Sequence, residues 1–258
     1  MAKNCIFCGE PLKGVRAEEH CVPRWLMEHL GITDDDLLLG VAQTADDQIL
    51  KSRQHPAGNF VEGRVCGDCN NGWMNELEKA AKPILKQLTN AEVSLLGLSE
   101  PNRIAVAKWA AKTAYVVNYA SPLQKLADPT HLRYMKENAG AAPPRVGVFA
   151  LQSPIAVGFL EIERNHWWHI TDSPKPNSTM PGSYKIALQF RHLMLLTAYW
   201  PDPDTDFVIA AGVHFPLWPV RQIYFSCVPP EPMKTTGSAA QLDMFCRTLA
   251  VIDLKMGI

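Results

Sequence analysis

The chain has 258 residues, with 25 Lys and Arg against 26 Asp and Glu, and this near-neutral balance gives no overall attraction to nucleic acid. An apolar content of 47% supports a buried core in one large or two modest domains. No apolar run is long enough to span a bilayer and residues 1–20 contain no secretory signal, so the sequence predicts a soluble, cytoplasmic protein without membrane contacts.

Two cysteine pairs, Cys5/Cys8 and Cys66/Cys69, each have a two-residue spacer. This spacer lets both sulfurs of a pair face one ion, and two such pairs form a tetrahedral four-thiolate zinc site of the structural kind. A disulfide framework is the alternative, but it is typical of small secreted chains. We therefore predict a structural Zn²⁺ whose binding energy stabilises this end of the chain. The other cysteines lie in apolar stretches and are expected to be buried free thiols: Cys21, Cys227 and Cys246.

The first cysteine pair is followed by Glu19-His20-Cys21-Val22-Pro23, and the second pair is followed at once by Asn70. In this order the motifs resemble the HNH endonuclease family, whose ββα-metal fold is often stabilised by zinc on four cysteines. The resemblance covers about residues 1–88. It implies that Glu19 and Asn70 bind a catalytic divalent cation and that His20 activates the attacking water.

The chemistry of phosphodiester cleavage agrees with these implied roles. A neutral imidazole with a pKa of about 6.5 can accept a proton from water near neutral pH. A carboxylate and a carboxamide are hard oxygen donors, which favour Mg²⁺ or Mn²⁺ over a second zinc as the catalytic metal. A zinc held by four thiolates has no open coordination position, so the two metals have separate tasks.

Two residues of the family motif can each be matched to more than one position in this sequence. The segment between the histidine and the second cysteine pair is longer than is usual in the family. The asparagine that orients the histidine is therefore not fixed by spacing, and Asn59 is the candidate, with His55 as the alternative. Asn71 and Asn75 are alternatives to Asn70 as the metal ligand. Asn71 could instead cap a helix that starts at Gly72 or Trp73.

Apolar residues recur at three- and four-residue steps from Met74 to Leu88 and predict a helix with one buried face. Pro83 predicts a kink or a break in it. In the resembled family this helix lies against the minor groove, so lysines on another face could contact phosphates, although a merely solvated face is the alternative. The predicted nucleic-acid contacts are Lys79, Lys82 and Lys86, with Arg24 and Arg64 beside the motif residues.

The rest of the chain contains fewer motifs. A buried helix is predicted over 103–120, with one solvated edge, and a shorter helix over 129–138. Strands are predicted over 146–151, 155–163, 166–171, 185–199, 207–215 and 220–227, because β-rich runs alternate with Pro, Gly, Asn and Asp clusters. Ser238 with Gln241 predicts a capped final helix to about Leu254. The stripe expected to form the solvated edge is Lys108, Lys112, Tyr115 and Tyr119.

Together these patterns predict an α+β fold, with a zinc-stapled ββα-metal nuclease unit over 1–95 and an accessory region of helices and antiparallel sheet over 96–258. The expected function is metal-dependent HNH cleavage of phosphodiester bonds in DNA, with RNA left open and a protein partner or activator expected to aid recruitment. One alternative is an inactive zinc-stabilised adaptor that binds nucleic acid or protein. Another is a nuclease gated by a C-terminal region that senses a ligand or a partner.

Overall fold

A computed structural model describes residues 4–12, 17–43, 49–122, 125–152, 167–172, 182–210, 213–218, 224–226, 245 and 249–253. Over these ranges the chain is a mixture of helices and mainly antiparallel sheet, which confirms the predicted α+β class. The helices are α1 Arg24–Leu30, α2 Gly67–Cys69, α3 Asn75–Thr89, α4 Glu100–Ala120 and α5 Pro129–Glu137, with 3₁₀ turns at Ala57–Asn59 and Leu95–Gly97 and a π-helical turn at Asn70–Met74.

The strands form three sheets. β1 and β4 form an antiparallel pair, seven strands follow the order β10-β5-β8-β7-β6-β2-β3, and three follow the order β11-β9-β12. The pairs β2/β6 and β9/β11 are parallel, and the other strand pairs in these ranges are antiparallel. The strands are β1 Ala17–His20, β2 Leu37–Gln43, β3 Ile49–Pro56, β4 Val61–Val65, β5 Val146–Gln152, β6 Trp167–Asp172, β7 Tyr184–Phe190, β8 Leu193–Tyr199, β9 Thr205–Ala210, β10 Phe215–Trp218, β11 Tyr224–Ser226 and β12 Ala250–Asp253.

The β1–β4 hairpin contains a long insertion. Between its two strands the chain forms α1, β2, β3 and the first 3₁₀ turn. β2 and β3 occupy one end of the seven-stranded sheet, where β2 pairs with β6. That sheet therefore contains strands from both sides of residue 95, and the division into 1–95 and 96–258 stays a prediction.

The central strands of the large sheet are covered on both faces. In β8, Leu193 and Leu195 pack in one core cluster, while Met194 and Leu196 pack in a second cluster on the opposite face. Side chains of a strand alternate between its two faces, so a strand that is buried on both sides has no polar alternation. This arrangement explains the continuous apolar run that marks β8 in the sequence.

Helix α4 is buried around most of its circumference. It contacts α3, α5, β4 and the strands β5, β7, β8 and β10. The prediction of a solvated edge was wrong for two members of the stripe, because Lys112 and Tyr115 are fully buried, whereas Lys108 and Tyr119 are half-buried. The neighbours that cover this edge lie far away in sequence, so helical periodicity alone did not reveal them.

Three local predictions differ from the structure. Helical structure begins at Gly67, before the expected start, and α3 continues through Pro83 without a break. Pro83 is exposed, so water can satisfy the carbonyl that loses its helical partner. The final helix was predicted to reach residue 254, but Ala250–Asp253 is a strand that pairs with β9. The predicted strand at 155–163 and the start of the final helix at 238–244 lie outside the described residues.

The segment predicted as one strand over 185–199 is a hairpin of β7 and β8, with its turn at Arg191 and His192. Arg191 has a φ of 48°, in the left-handed region that tight hairpin turns require. Among the helices of the described ranges, none combines the length and the apolar character needed to cross a bilayer.

Candidate metal centre and active site

The four predicted cysteines converge. Their Sγ atoms all lie within 4.8 Å of one another, and the Cys8 and Cys66 Sγ atoms are 3.7 Å apart. A tetrahedral zinc site with Zn–S bonds of about 2.3 Å has S–S edges of about 3.8 Å, so the spacing suits zinc. All four are free thiols, which argues against the disulfide alternative. The cluster of Cys5, Cys8, Cys66 and Cys69 could therefore hold a zinc ion.

Backbone contacts attach the first cysteine pair to the rest of the unit. Ile6 N–H donates to the Arg64 carbonyl at 2.8 Å, and Gly9 closes the turn with a φ of 77° and a 2.9 Å bond to the Cys5 carbonyl. Cys66 caps α2, because its Sγ accepts from Cys69 N–H at 3.4 Å. A hydrogen bond from the Cys69 thiol, with further amide donors, lowers the pKa of Cys5 to about 4. These donors favour the thiolate form at Cys5. Burial raises the pKa of Cys8 to about 11, and the hydrogen bond that the Cys69 thiol donates to Cys5 raises the pKa of Cys69.

Glu19 and His20 are the last two residues of β1. Glu19 lies opposite Glu62 and His20 lies opposite Val61 on β4. The His20 side chain is half-buried, and burial, together with the positive charge of Arg24, lowers its pKa below the ordinary value of 6.5. The imidazole is therefore neutral at neutral pH, which is the form that can accept a proton.

Both candidates for the orienting residue lie near this end of the hairpin. Asn59 ends the 3₁₀ turn that leads into β4, and it is exposed. The next residue, Phe60, accepts a 2.9 Å hydrogen bond from Cys21 N–H through its carbonyl. His55 is half-buried and stacks on the Phe60 ring at a centroid distance of 5.0 Å. The assignment of Asn59 stays a prediction, with His55 as its alternative.

The candidate carboxamide ligands lie beside the cysteine cluster. Asn70 begins the π-helical turn, is half-buried, and donates its N–H to the Cys66 carbonyl at 3.0 Å. Asn71 is exposed within the same turn and does not cap a helix. Asn75 is half-buried at the start of α3. The choice of Asn70 as a metal ligand stays a prediction.

A buried ammonium group contacts the Glu19 carboxylate. Lys112 Nζ on α4 donates to Glu19 Oε1 at 2.8 Å and to Glu78 Oε1 on α3 at 2.7 Å. Lys112 is 1% exposed and Glu19 is 9% exposed. Burial alone would lower the pKa of Lys112, but the two carboxylates outweigh it and raise the pKa above its ordinary value, so the ammonium stays charged.

Glu78 receives two further donors. Trp109 Nε1 donates to Glu78 Oε1 at 2.8 Å, and Trp25 Nε1 donates to Glu78 Oε2 at 2.6 Å. This carboxylate therefore links α1, α3 and α4, and it accepts three hydrogen bonds from fixed groups. Glu19, Lys112 and Glu78 are called the buried triad below.

The two arginines predicted to contact nucleic acid are paired with acids. Arg64 makes two bonds of 2.8 Å to the Glu62 carboxylate, which raise the pKa of Arg64, and its Nη2 donates to the Tyr119 carbonyl at 3.1 Å. Arg24 pairs with Asp34 at the surface. Asp34 begins the acidic run 34–36, so one member of that run lies beside Arg24.

The predicted lysines lie along α3. Lys79 is exposed and pairs with Glu76 at 2.7 Å, a contact that water screens. Lys82 is exposed, and its Nζ lies 5.6 Å from the centre of the Trp25 ring. Lys86 is half-buried near the end of the helix. Lys79 and Lys82 are accessible from solvent, and their contact with nucleic acid stays a prediction.

Sequence reasoning missed the buried partners of the motif. Lys112 was expected at a solvated edge, and Glu62 and Glu78 were given no role. The available signal was that most residues one helical turn before and after Lys112 are apolar or aromatic. A lysine in such surroundings needs a buried counter-charge. Its partner, however, is Glu19, 93 residues away.

No protein-family model, no curated protein and no solved structure matches the chain. The interpretation of the site therefore depends on the motifs and the geometry described above.

The buried triad should make Lys112 critical for stability. We expect Lys112→Met to lower the free energy of unfolding by about 3–5 kcal/mol, because it leaves two buried carboxylates without their cation. Urea denaturation measures this change. Lys108→Met on the same helix removes only a hydrogen bond to the Ala139 carbonyl and should cost about 1 kcal/mol. Equal effects of the two variants would contradict a critical role for the buried triad.

The cysteine cluster should bind one zinc per chain and require it for folding at this end. Elemental analysis should find one equivalent of zinc in the wild-type protein and almost none in Cys66→Ser, and chelation should lower the melting temperature, since metal binding energy contributes to folding. Cys21→Ala is the control, because Cys21 is a buried thiol outside the cluster. Full stability of the zinc-free protein would contradict the prediction.

Proposed function

We propose that the protein is a metal-dependent endonuclease of the HNH type that hydrolyses phosphodiester bonds in DNA. The observation that carries the proposal is the spatial order of the first 89 residues. A four-cysteine cluster adjoins a β-hairpin that ends one strand in Glu19-His20, and the chain then passes through the second cysteine pair into α3. This order is the hairpin-then-helix arrangement that the sequence resemblance implies.

In this proposal His20 is the general base. Its half-buried imidazole has a lowered pKa and is neutral at physiological pH. A neutral imidazole can take the proton from a water molecule as that water attacks phosphorus. Asn59, two residues before the strand partner of His20, would orient the ring.

A carboxylate and a carboxamide are oxygen donors of the kind that a hard divalent cation prefers. Lys112 holds one carboxylate oxygen of Glu19, and the other oxygen, together with the Asn70 carboxamide, would hold Mg²⁺ or Mn²⁺. Such a cation, when bound, neutralises the charge that develops on the phosphate and the leaving oxygen. The thiolate cluster would hold the structural zinc and take no part in the chemistry.

The charge distribution bears on the substrate. Exposed lysines on α3, Lys79 and Lys82, would contact phosphates beside the hairpin. A net charge of −1 gives little general affinity for a polyanion, so we further propose that a protein partner or activator recruits the enzyme in the cytoplasm.

One observation favours a second candidate function, a zinc-stabilised adaptor without catalysis. Lys112 forms a buried ion pair with Glu19, a contact that a purely structural role would explain. In an adaptor the hairpin would present a binding surface, and His20 would have no chemical task. Cleavage assays separate the two candidates.

Purified protein should cleave supercoiled plasmid in Mg²⁺ or Mn²⁺, and His20→Ala should reduce the rate by about 10²–10⁴-fold, the usual contribution of a general base. His29→Ala is the matched control, because His29 is also partly buried with a lowered pKa but lies at the end of α1. A parallel assay on a structured RNA tests the substrate class. Absence of cleavage with every metal and both substrates, or equal rates for wild type and His20→Ala, would favour the adaptor.

The pH profile should reflect the lowered pKa of His20. A general base works when deprotonated, so the cleavage rate should rise with pH and reach half its plateau below about pH 6.5. Arg24→Gln should move this midpoint upward, because the positive charge that disfavours the imidazolium is removed. The rates should be measured at saturating DNA. A midpoint above 7 in the wild-type enzyme would contradict His20 as the base.

A further inference from the structure

The buried triad has an arrangement of charge that packing alone does not require. Two carboxylates share one ammonium group, with Lys112 Nζ 2.8 Å from Glu19 Oε1 and 2.7 Å from Glu78 Oε1. A simple ion pair between Lys112 and Glu19 would already balance the charge of the lysine, although it would satisfy only one of its three N–H donors. The second carboxylate leaves the triad with one net negative charge in a site that is mostly closed to water.

The structure fixes the position of Glu78 independently of Glu19. The indole N–H groups of Trp25 and Trp109 donate to its two oxygens at 2.6 Å and 2.8 Å. These donors fix the position of the carboxylate beside Lys112. Glu78 is therefore a fixed second counter-charge for the ammonium, in addition to Glu19.

The charge of Glu78 affects how strongly Glu19 could bind a cation. A lone ammonium on Glu19 would cancel its charge and repel a divalent ion. When Glu78 neutralises the ammonium, Lys112 still orients the Glu19 carboxylate through one oxygen, and the charge of Glu19 remains available at the other oxygen. Partners that hydrogen-bond to a ligating carboxylate in this way tune metal affinity by about 10–100-fold.

We propose that Glu78 is a positioning residue for the cation site: it neutralises Lys112, so that the ammonium orients Glu19 without cancelling the charge with which Glu19 holds a divalent cation. The inference rests on the proposed function, since it assumes that Glu19 is a metal ligand. With Glu78 and Lys112 included, the proposed site contains residues of α3 and α4 in addition to those of the β1–β4 hairpin.

Binding of Mn²⁺ to the zinc-saturated full-length protein tests the inference without any measurement of cleavage. Isothermal titration should find one Mn²⁺ site in the wild type that Glu19→Gln abolishes. Glu78→Gln, which keeps the size of the side chain but removes its charge, should weaken Mn²⁺ binding by about tenfold or more. Trp25→Phe removes one donor to Glu78 without a change of charge, and we expect it to lower stability but leave the Mn²⁺ affinity within about twofold of the wild type.

The double variant Lys112→Gln with Glu78→Gln provides a rescue test. It removes one positive and one negative charge together, so Glu19 keeps its charge, and its Mn²⁺ affinity should return to within about threefold of the wild type. Replacing a buried ion pair by neutral groups is often tolerated, so the double variant also serves if Glu78→Gln alone does not fold. Binding by the double variant that is more than tenfold weaker than in the wild type would overturn the inference.

The outcomes separate this inference from the proposed function. If wild type binds Mn²⁺ through Glu19 and Glu78→Gln binds it equally well, Glu78 has only a structural role and the nuclease proposal stands. If wild type binds no Mn²⁺ outside the cysteine cluster, both the metal-dependent function and the inference are overturned. Zinc content and circular dichroism of each variant establish that the compared proteins are folded.

Discussion

The ammonium group of Lys112 lies in the interior, 1% exposed, at the middle of the helix that contacts more elements than any other in the described structure. A buried charge is tolerated only when it is paired and hydrogen-bonded. Helix α4 can therefore occupy its central place only if β1 and α3 bring Glu19 and Glu78 to it. The packing of the sheet against α4 and the position of the β1–β4 hairpin therefore depend on the same buried ion pairs.

The cysteine cluster provides the complementary constraint at the other end of the hairpin. Cys66 directly follows β4, and Ile6 beside the first pair bonds to the Arg64 carbonyl of the same strand. The strand is thus anchored by thiols at its end and by the Glu62–Arg64 pair against α4. The long insertion between the two strands adds a third attachment, because β2 pairs with β3 and with β6 of the large sheet.

Short sequence patterns correctly predicted the features that depend only on residues close together in the chain. The two-residue cysteine spacers predicted the cluster, and the apolar steps after it predicted α3, because both patterns are determined within one or two turns of chain. The burial of Lys112 was not predictable in this way, since its partner lies 93 residues away. Likewise the strand Ala250–Asp253 depends on pairing with β9, and tertiary pairing overrode the expected helix. The roles of Asn59 and Asn70 remain at the level of sequence prediction.

In the proposed active site, Glu19 would be subject to two demands that usually exclude each other. A structural counter-ion is most effective when it is buried and fully engaged, whereas a metal ligand needs an oxygen that is free to bind and a charge that is not cancelled. Glu19 is 9% exposed and lies next to His20 on β1, and its Oε1 accepts from Lys112. In the proposed site the other oxygen would bind the cation. Under that proposal, the additional charge of Glu78 would compensate Lys112, so that the charge of Glu19 would remain available for the cation.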